Sequence, residues 1–172
     1  VDRTGMLEGM CKVGLPNQTR PPEIKAEDLG CTILGPEQTY TGVLISGFEA
    51  SNFSSEQFAS LPDDQGRDAK ISWFVCPLDG CGDALEHQLG RNPFPNCESE
   101  ETRLGRTGMA SVTVVGRVSL SREGYGHLGT YPREFFASKI LAVAPPPAEL
   151  VAEWEWAKRQ RGFCDIPAKQ AR

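Results

Sequence analysis

Alternating apolar and polar residues mark the β-strands of this chain. The longest such run, GMASVTVVGRVSL at 108–120, places every second residue on one face. The residues expected on the inward face are Ala110, Val112, Val114, Gly116 and Val118. Shorter runs rich in β-branched and aromatic residues occur at 31–34, 39–48, 69–76 and 135–143. The pattern therefore predicts five strands and a mainly β protein.

Two segments instead follow the helical period. DALEHQLG at 83–90 places Leu85 and Leu89 on one face, and Gly90 is a typical residue to end the helix. The second segment, 148–161, follows three prolines and carries an apolar stripe that includes Trp154. The sequence thus predicts a short helix between the third and fourth strands and a C-terminal helix. The polar stretch at 49–68 is predicted to be a connection with one helical turn near residues 54–58.

Three strands, a short helix and two further strands is the element order of an OB-type barrel. We expect a small closed or partly open OB-like barrel of five to six strands, with the short helix inserted and the C-terminal helix outside. A β-sandwich is the alternative, because turn signals do not distinguish closure from stacking. The chain is expected to form one domain, with an irregular arm over 1–30, a barrel core over 31–143, and a proline-linked helix and tail over 144–172.

Charge and hydropathy narrow the classes of partner. The chain of 172 residues has a net charge of −5, and its 18 basic residues are scattered. An acidic surface repels phosphate backbones, so we expect no nucleic-acid partner. No run approaches the ~18 apolar residues that a membrane helix needs, so no membrane span is expected. No cofactor-binding motif is recognised either, and we predict no cofactor.

The six cysteines point to disulfides and to an oxidising compartment. They are Cys11, Cys31, Cys76, Cys81, Cys97 and Cys164, an even set spread along the chain. Six cysteines allow 15 pairings. Three pairs suit their positions: Cys11 with Cys31, Cys76 with Cys81, and Cys97 with Cys164, which would tie down the tail. CPLDGC, at 76–81, contains turn-forming residues that can bring its two ends together. We therefore expect a secreted or periplasmic protein.

A zinc site is the alternative for part of this set. Cys76, Cys81, His87 and Cys97 lie in one region, and three thiolates with one imidazole can hold zinc. The last two ligands are far apart in sequence and lack the tight spacing of a zinc knuckle. Disulfides are therefore the preferred prediction, with His87 on the exposed face of the short helix.

The stretch REGYGHLGTYPREFF at 122–136 is the best candidate for a ligand site. Its glycines and proline are typical of a shaped connection between two strands. Its other residues include tyrosines, a histidine, an arginine and glutamates, whose side chains can hydrogen-bond a ligand. In OB barrels the loop between the fourth and fifth strands borders the ligand. The candidate ligand-binding residues are Tyr125, His127, Tyr131, Arg133 and Glu134. No catalytic motif accompanies them.

The C-terminal helix offers a second candidate surface. Trp154 lies on its apolar stripe, whereas Trp156 lies off that stripe. Packing on the barrel accounts for the first tryptophan, and an exposed Trp156 indicates a surface for a partner. Both residues are therefore candidates for a partner-binding surface.

Two segments, TGVLISGFEASNF and GRVSLSREGYGHLGTYPREFF, resemble a group of small uncharacterised bacterial secreted or envelope β-barrel proteins. That group pairs a strand running into Gly-Phe-Glu with a late Gly-His-(Leu/Met)-Gly-x-Tyr-x-Arg-Glu element. The resemblance implies one structural unit made of Gly47, Phe48, Glu49, Gly126, His127, Gly129, Tyr131, Arg133 and Glu134. It implies no catalytic residue. Opposite charges at strand ends independently suggest an ion pair between Glu49 and Arg133.

Three functional classes follow from these features. The first is a non-enzymatic, extracytoplasmic binding or accessory module for an unknown protein or small molecule. The second is a structural subunit of a larger assembly, bound through the N-terminal arm or the tryptophan helix. The third is a small hydrolase in which His127 works with Glu123 and Glu134. The missing catalytic motifs favour the first class.

Overall fold

Five strands of this chain pair in a closed ring. A computed structural model describes residues 12–14, 32–47, 50–60, 70–77, 80–94, 97, 107–120, 125–126, 128, 130–162 and 164. The strands in these ranges are β1 Lys12–Gly14, β2 Thr32–Leu34, β3 Gln38–Gly47, β4 Ala50–Ser54, β5 Ile71–Val75, β6 Gly108–Val118 and β7 Glu134–Ala144. The ring order is β3-β4-β5-β7-β6, and β6 returns to β3. Neighbours are antiparallel, except that β5 and β7 run parallel.

The helices lie at the positions that the sequence indicates. A 3-10 helix spans Glu56–Ser60, α1 spans Asp83–Leu89, and α2 spans Ala148–Gln160. Both α-helices were predicted, as was a helical turn close to the 3-10 helix. Across the described residues, no helix combines the length and apolar character needed to cross a membrane.

The strand predictions are confirmed for β2, β3, β5, β6 and β7, but two expectations are wrong. Residues 50–54 form β4 and not a connection, and β4 is the second strand of the ring. Within the arm over 1–30, the structure describes only β1, which is a strand and not irregular chain. It pairs in parallel with β2 in a separate two-stranded sheet. Because the other five strands form one continuous ring, the chain does not adopt two stacked sheets.

The main core fills the ring. The predicted alternation on β6 is confirmed, because its residues of even number from 110 to 118 are all buried. Four phenylalanines from three strands and the 3-10 helix meet at the centre: Phe53, Phe58, Phe74 and Phe135. The Phe53 and Phe135 ring centroids are 4.9 Å apart. Phenylalanine side chains bury large apolar areas, so this cluster stabilises the closed ring of strands from within.

Two short helices contribute buried side chains to this core. Leu85 of α1 is fully buried in it, and the Gln88 side-chain amide donates to the Met109 carbonyl oxygen at 3.2 Å. Phe58 of the 3-10 helix enters it beside Tyr40, with ring centroids 5.3 Å apart. Helix α1, which lies between β5 and β6 along the chain as the sequence predicts, therefore packs against the ring.

A second, smaller core contains the contacts of α2. Its buried members are Phe94, Cys97, Met109 and Cys164, and Ile45, Val151 and Trp154 pack against them. Ile45 and Met109 are paired residues of β3 and β6. Because neither residue belongs to the central core, this cluster lies on the outer side of these two strands and joins α2 to the ring.

Candidate functional site

The connection between β6 and β7 closes into a small loop. The backbone N–H of Tyr125 donates to the carbonyl oxygen of Tyr131 at 2.9 Å, and the Tyr131 N–H donates back at 3.1 Å. Both tyrosines are buried. Two reciprocal hydrogen bonds fix the two ends of the loop side by side, so the described residues Gly126, Leu128 and Thr130 lie in its projecting part.

This loop is attached to the outer face of β4 and β5. Asn52 and Trp73 are directly paired on these strands and lie on the face opposite to the core residues Phe53 and Phe74. The Tyr131 hydroxyl donates to the Asn52 side-chain oxygen. The Tyr131 ring meets the Trp73 ring edge to face, with centroids 5.1 Å apart. One polar and one aromatic contact therefore hold the loop against the sheet.

Gly126 makes the close approach to the sheet possible. Its φ is +67°, a left-handed conformation that favours glycine. A Cβ atom at this position would lie 2.6 Å from Trp73 Cδ2 and 2.7 Å from Tyr131 Cδ2. The backbone of the loop thus lies directly on the Trp73 ring, with no room for a side chain.

The projecting part of the loop presents Leu128 to solvent. Its side chain is 84 % exposed, and its φ of 55° is the one left-handed value among non-glycine residues in the described part of the chain. For a leucine this conformation costs about 1–2 kcal/mol. The paired tyrosines and the Trp73 contact restrict the loop on both sides, so the surrounding structure supports this unfavourable conformation.

The chain leaves the loop through Arg133 and Glu134. Arg133 is buried, and its carbonyl oxygen accepts a hydrogen bond from the backbone N–H of Trp73 at 2.9 Å. The Glu134 N–H donates to Ser119 Oγ at 2.9 Å, and the Ser119 N–H donates to the Glu134 carbonyl oxygen at 2.8 Å. These bonds fix the start of β7 beside both β5 and the end of β6.

The five predicted ligand-binding residues are therefore not equivalent. Tyr125, Tyr131 and Arg133 are buried and position the loop, and their role as ligand contacts stays a prediction. Glu134 is half-buried at the edge of this unit. His127, Glu123 and Glu49 lie outside the described residues, so the predicted hydrolytic set and the predicted ion pair stay predictions.

Three residues of the unit were not predicted from the sequence. Asn52 and Trp73 form the support of the loop, and Leu128 lies at its tip. Gly126 was expected in this unit from the resemblance. The regular alternation of β5 indicates that Trp73 and Phe74 lie on opposite faces of the strand. This alternation is the one local signal in the sequence for the support of the loop. The Tyr131 partner Asn52 is 79 residues away in sequence.

Burial also affects the protonation of the Tyr131 hydroxyl. Desolvation raises the pKa of Tyr131 above its usual value, and a hydrogen bond with the Ser51 backbone partly offsets this rise. The phenol is therefore protonated at neutral pH, which is the form that donates to Asn52.

Two of the predicted disulfides are present. Cys76 is bonded to Cys81, with Cα atoms 5.1 Å apart, and Cys97 is bonded to Cys164. Cys11 and Cys31 lie outside the described residues.

The alternative zinc set is wrong for this structure, because its three sulfurs are all engaged in disulfides. His87 is exposed on α1. Among the residues that the structure describes, no group of three or more metal-binding side chains converges.

The two tryptophans of α2 differ in environment. Trp154 packs against the second core, whereas Trp156 is 63 % exposed on the same helix. Of these two rings, only that of Trp156 is mainly exposed.

Comparison with known proteins identifies no relative: no family model, no curated protein and no solved structure matches this chain.

Proposed function

We propose that this chain is a non-enzymatic binding or accessory module of an extracytoplasmic compartment, built on an OB-type barrel. The observation that carries the proposal is the Tyr125–Tyr131 loop, which is fixed to the outer face of β4 and β5 and projects Leu128. An exposed apolar residue on a loop whose base is fixed is suited to recognition, because the fixed base has little conformational entropy to lose on binding.

The ring order supports the OB-type assignment. Numbered within the ring, the strands pair in the order 1-2-3-5-4, with the fifth parallel to the third. Helix α1 lies between the third and fourth. In OB folds, ligands bind on the face of strands 2 and 3 and at the loop between strands 4 and 5. In this chain those parts are β4, β5 and the Tyr125–Tyr131 loop.

The chemistry of the tip favours a protein partner over a small polar ligand. Leu128 offers only apolar surface, which gains most by entering an apolar pocket of another protein. The Tyr131 hydroxyl bonds to Asn52 within the unit. Two disulfides support the extracytoplasmic assignment, because such bonds persist in oxidising compartments.

Site-specific photocrosslinking tests the proposal. A diazirine analogue of leucine replaces Leu128 in the full oxidised chain, which is irradiated in the extracytoplasmic fraction of the source organism. Leu141 of β7 provides the matched position, because it is also an exposed leucine, at 49 %. We expect a discrete cross-linked product from position 128 and none of the same mass from position 141.

Competition makes the test specific to the loop. Excess unlabelled native chain and excess Leu141→Ser chain should both suppress the product, whereas excess Leu128→Ser chain should not. Equal suppression by both serine variants contradicts a recognition role for the tip. Absence of any product from position 128 also contradicts it.

A structural subunit is the second candidate, and the exposed ring of Trp156 favours it. A photoreactive residue at that position distinguishes the two functions. A competed product from position 156, with none from position 128, would assign recognition to α2 and not to the loop.

A further inference from the structure

Helix α2 is joined to the rest of the chain at both ends. Before it, Pro145–Pro147 connect it to β7, and after it the Cys97–Cys164 disulfide joins it to the segment that follows α1. Pro147 has φ −57° and ψ 135°, the geometry of a polyproline helix. Consecutive prolines in this geometry are stiff, which limits how sharply the chain can turn between β7 and α2.

The surface under α2 is small and mainly apolar. Val151 and Trp154 of the helix contact a patch made by Ile45, Met109 and Phe94. We call this patch the α2 seat. It is completed by Cys97, which bonds to the residue that follows the helix.

Further contacts make the fit specific to this helix. The Lys158 ammonium lies 5.2 Å from the Phe94 ring centroid, and Lys158 is buried. A cation above an aromatic face is attracted by the ring electrons, more strongly when water is excluded. Arg159 and Glu155 pair at 2.6 Å within the helix, so this ion pair moves with α2.

We propose that the α2 seat also accepts α2 from a second copy of this chain, giving a dimer with exchanged helices and two interchain Cys97–Cys164 disulfides. The seat is complementary to α2 and to the cysteine that follows it, so a second copy is the partner that it fits. Every contact of the seat is the same in the closed and exchanged forms, and the two forms differ at the proline linker. Exchange therefore becomes favourable as chain concentration rises.

Isotope mixing tests the exchange with the unmodified protein. Equal amounts of ¹⁴N and ¹⁵N chains are reduced, unfolded, mixed and refolded with oxidation at low and high concentration. Monomers and dimers are separated and digested without reduction. The mass of the peptide pair joined by Cys97 and Cys164 is then measured by mass spectrometry. In the exchanged dimer about half of these pairs should carry both isotopes, as random assembly of a symmetric dimer requires.

The other disulfide serves as an internal control. Cys76 and Cys81 are five residues apart, so their bond should stay within one peptide from one chain. If the Cys97–Cys164 pairs carry a single isotope at every concentration, the exchange does not occur.

Two matched tryptophan variants distinguish seating from random thiol pairing. Trp154→Ala removes a side chain that contacts the seat, whereas Trp156→Ala removes an exposed one. We expect the first variant to lower the yield of mixed-isotope pairs at least several-fold and the second to leave it unchanged. Equal yields from both variants would mean that the disulfide forms without the seat, which overturns the proposal.

Discussion

Replacement of Gly126 by alanine should destabilise the protein through two separable effects. The first is backbone conformation, because alanine in the left-handed region costs about 1–2 kcal/mol. The second is steric: the new Cβ would lie 2.6 Å from Trp73 Cδ2 and 2.7 Å from Tyr131 Cδ2. Overpacking of this kind costs about 1–3 kcal/mol. Gly126→Ala should therefore lower the free energy of unfolding by about 2–5 kcal/mol.

Gly162→Ala is the matched control. Gly162 has a similar φ of +77°, but apart from its chain neighbours no heavy atom of the described residues lies within 4 Å of the position of its Cβ. This variant carries the backbone cost alone, about 1–2 kcal/mol. The difference between the two variants measures the contact between the loop and the Trp73 ring.

The assay is urea unfolding of the oxidised chain, followed by far-ultraviolet circular dichroism. Hydrogen exchange of the Tyr125 and Tyr131 amides accompanies it, because both N–H groups are hydrogen-bonded in the closed loop. If the loop detaches locally, the global loss is smaller and these two amides exchange faster in Gly126→Ala. Equal stability losses in the two variants, with no change in amide exchange, would refute the argument that Gly126 fixes the loop on Trp73.

Three further predictions concern titration and disulfides. Burial raises the pKa of Tyr40 and Tyr131 above the usual value of 10.0, so their contribution to stability is complete below pH 10 and is lost as pH rises above it. Tyr131→Phe should reduce this alkaline loss in unfolding curves measured at pH 9 and pH 11. Joint replacement of Cys97 and Cys164 by alanine opens a loop with a sequence separation of 67 residues and should cost about 4 kcal/mol in urea unfolding. Intact mass after alkylation should show no reactive thiol before reduction and 6 after it, and any thiol that reacts without reduction contradicts complete oxidation.

The sequence predicts the parts of this fold that local patterns determine. The alternation of β6 indicates its buried face, and the short loop between Cys76 and Cys81 indicates their disulfide. By contrast, β4 has no strong pattern. Its sequence ASNFS contains one large apolar residue, Phe53, and its small polar residues suit a loop equally well. Pairing with β3 and β5 makes it a strand.

The predicted number and order of strands were partly correct for an incorrect reason. The apolar run TIL suggested that β2 was the first strand of the barrel, but it pairs with β1 outside the ring. β4 supplies the missing ring strand. Strand propensity shows that a segment favours extended structure, but not which sheet it joins.

For the candidate site, too, local sequence predicts only part of the structure. The stretch 122–136 contains the residue types of a binding site, but the sequence does not indicate which of these residues are exposed. Tyrosine and arginine carry polar groups, which made Tyr125, Tyr131 and Arg133 candidates for ligand contact. Tertiary packing buries all three and leaves Leu128, a residue without polar groups, as the exposed tip. Burial here depends on Asn52 and Trp73, which are distant in sequence.

The position of the loop follows from one feature of the topology, the parallel pairing of β5 with β7. This pairing places Glu134 beside Trp73, so the residues just before β7 lie next to the start of β5. Asn52 is the neighbour of Trp73 on β4, and it therefore comes within reach of the Tyr131 hydroxyl. An antiparallel pairing of the same two strands would place the loop at the opposite end of β5, away from Trp73. The ring closure that buries the phenylalanine core thus also brings the Tyr125–Tyr131 loop to its support.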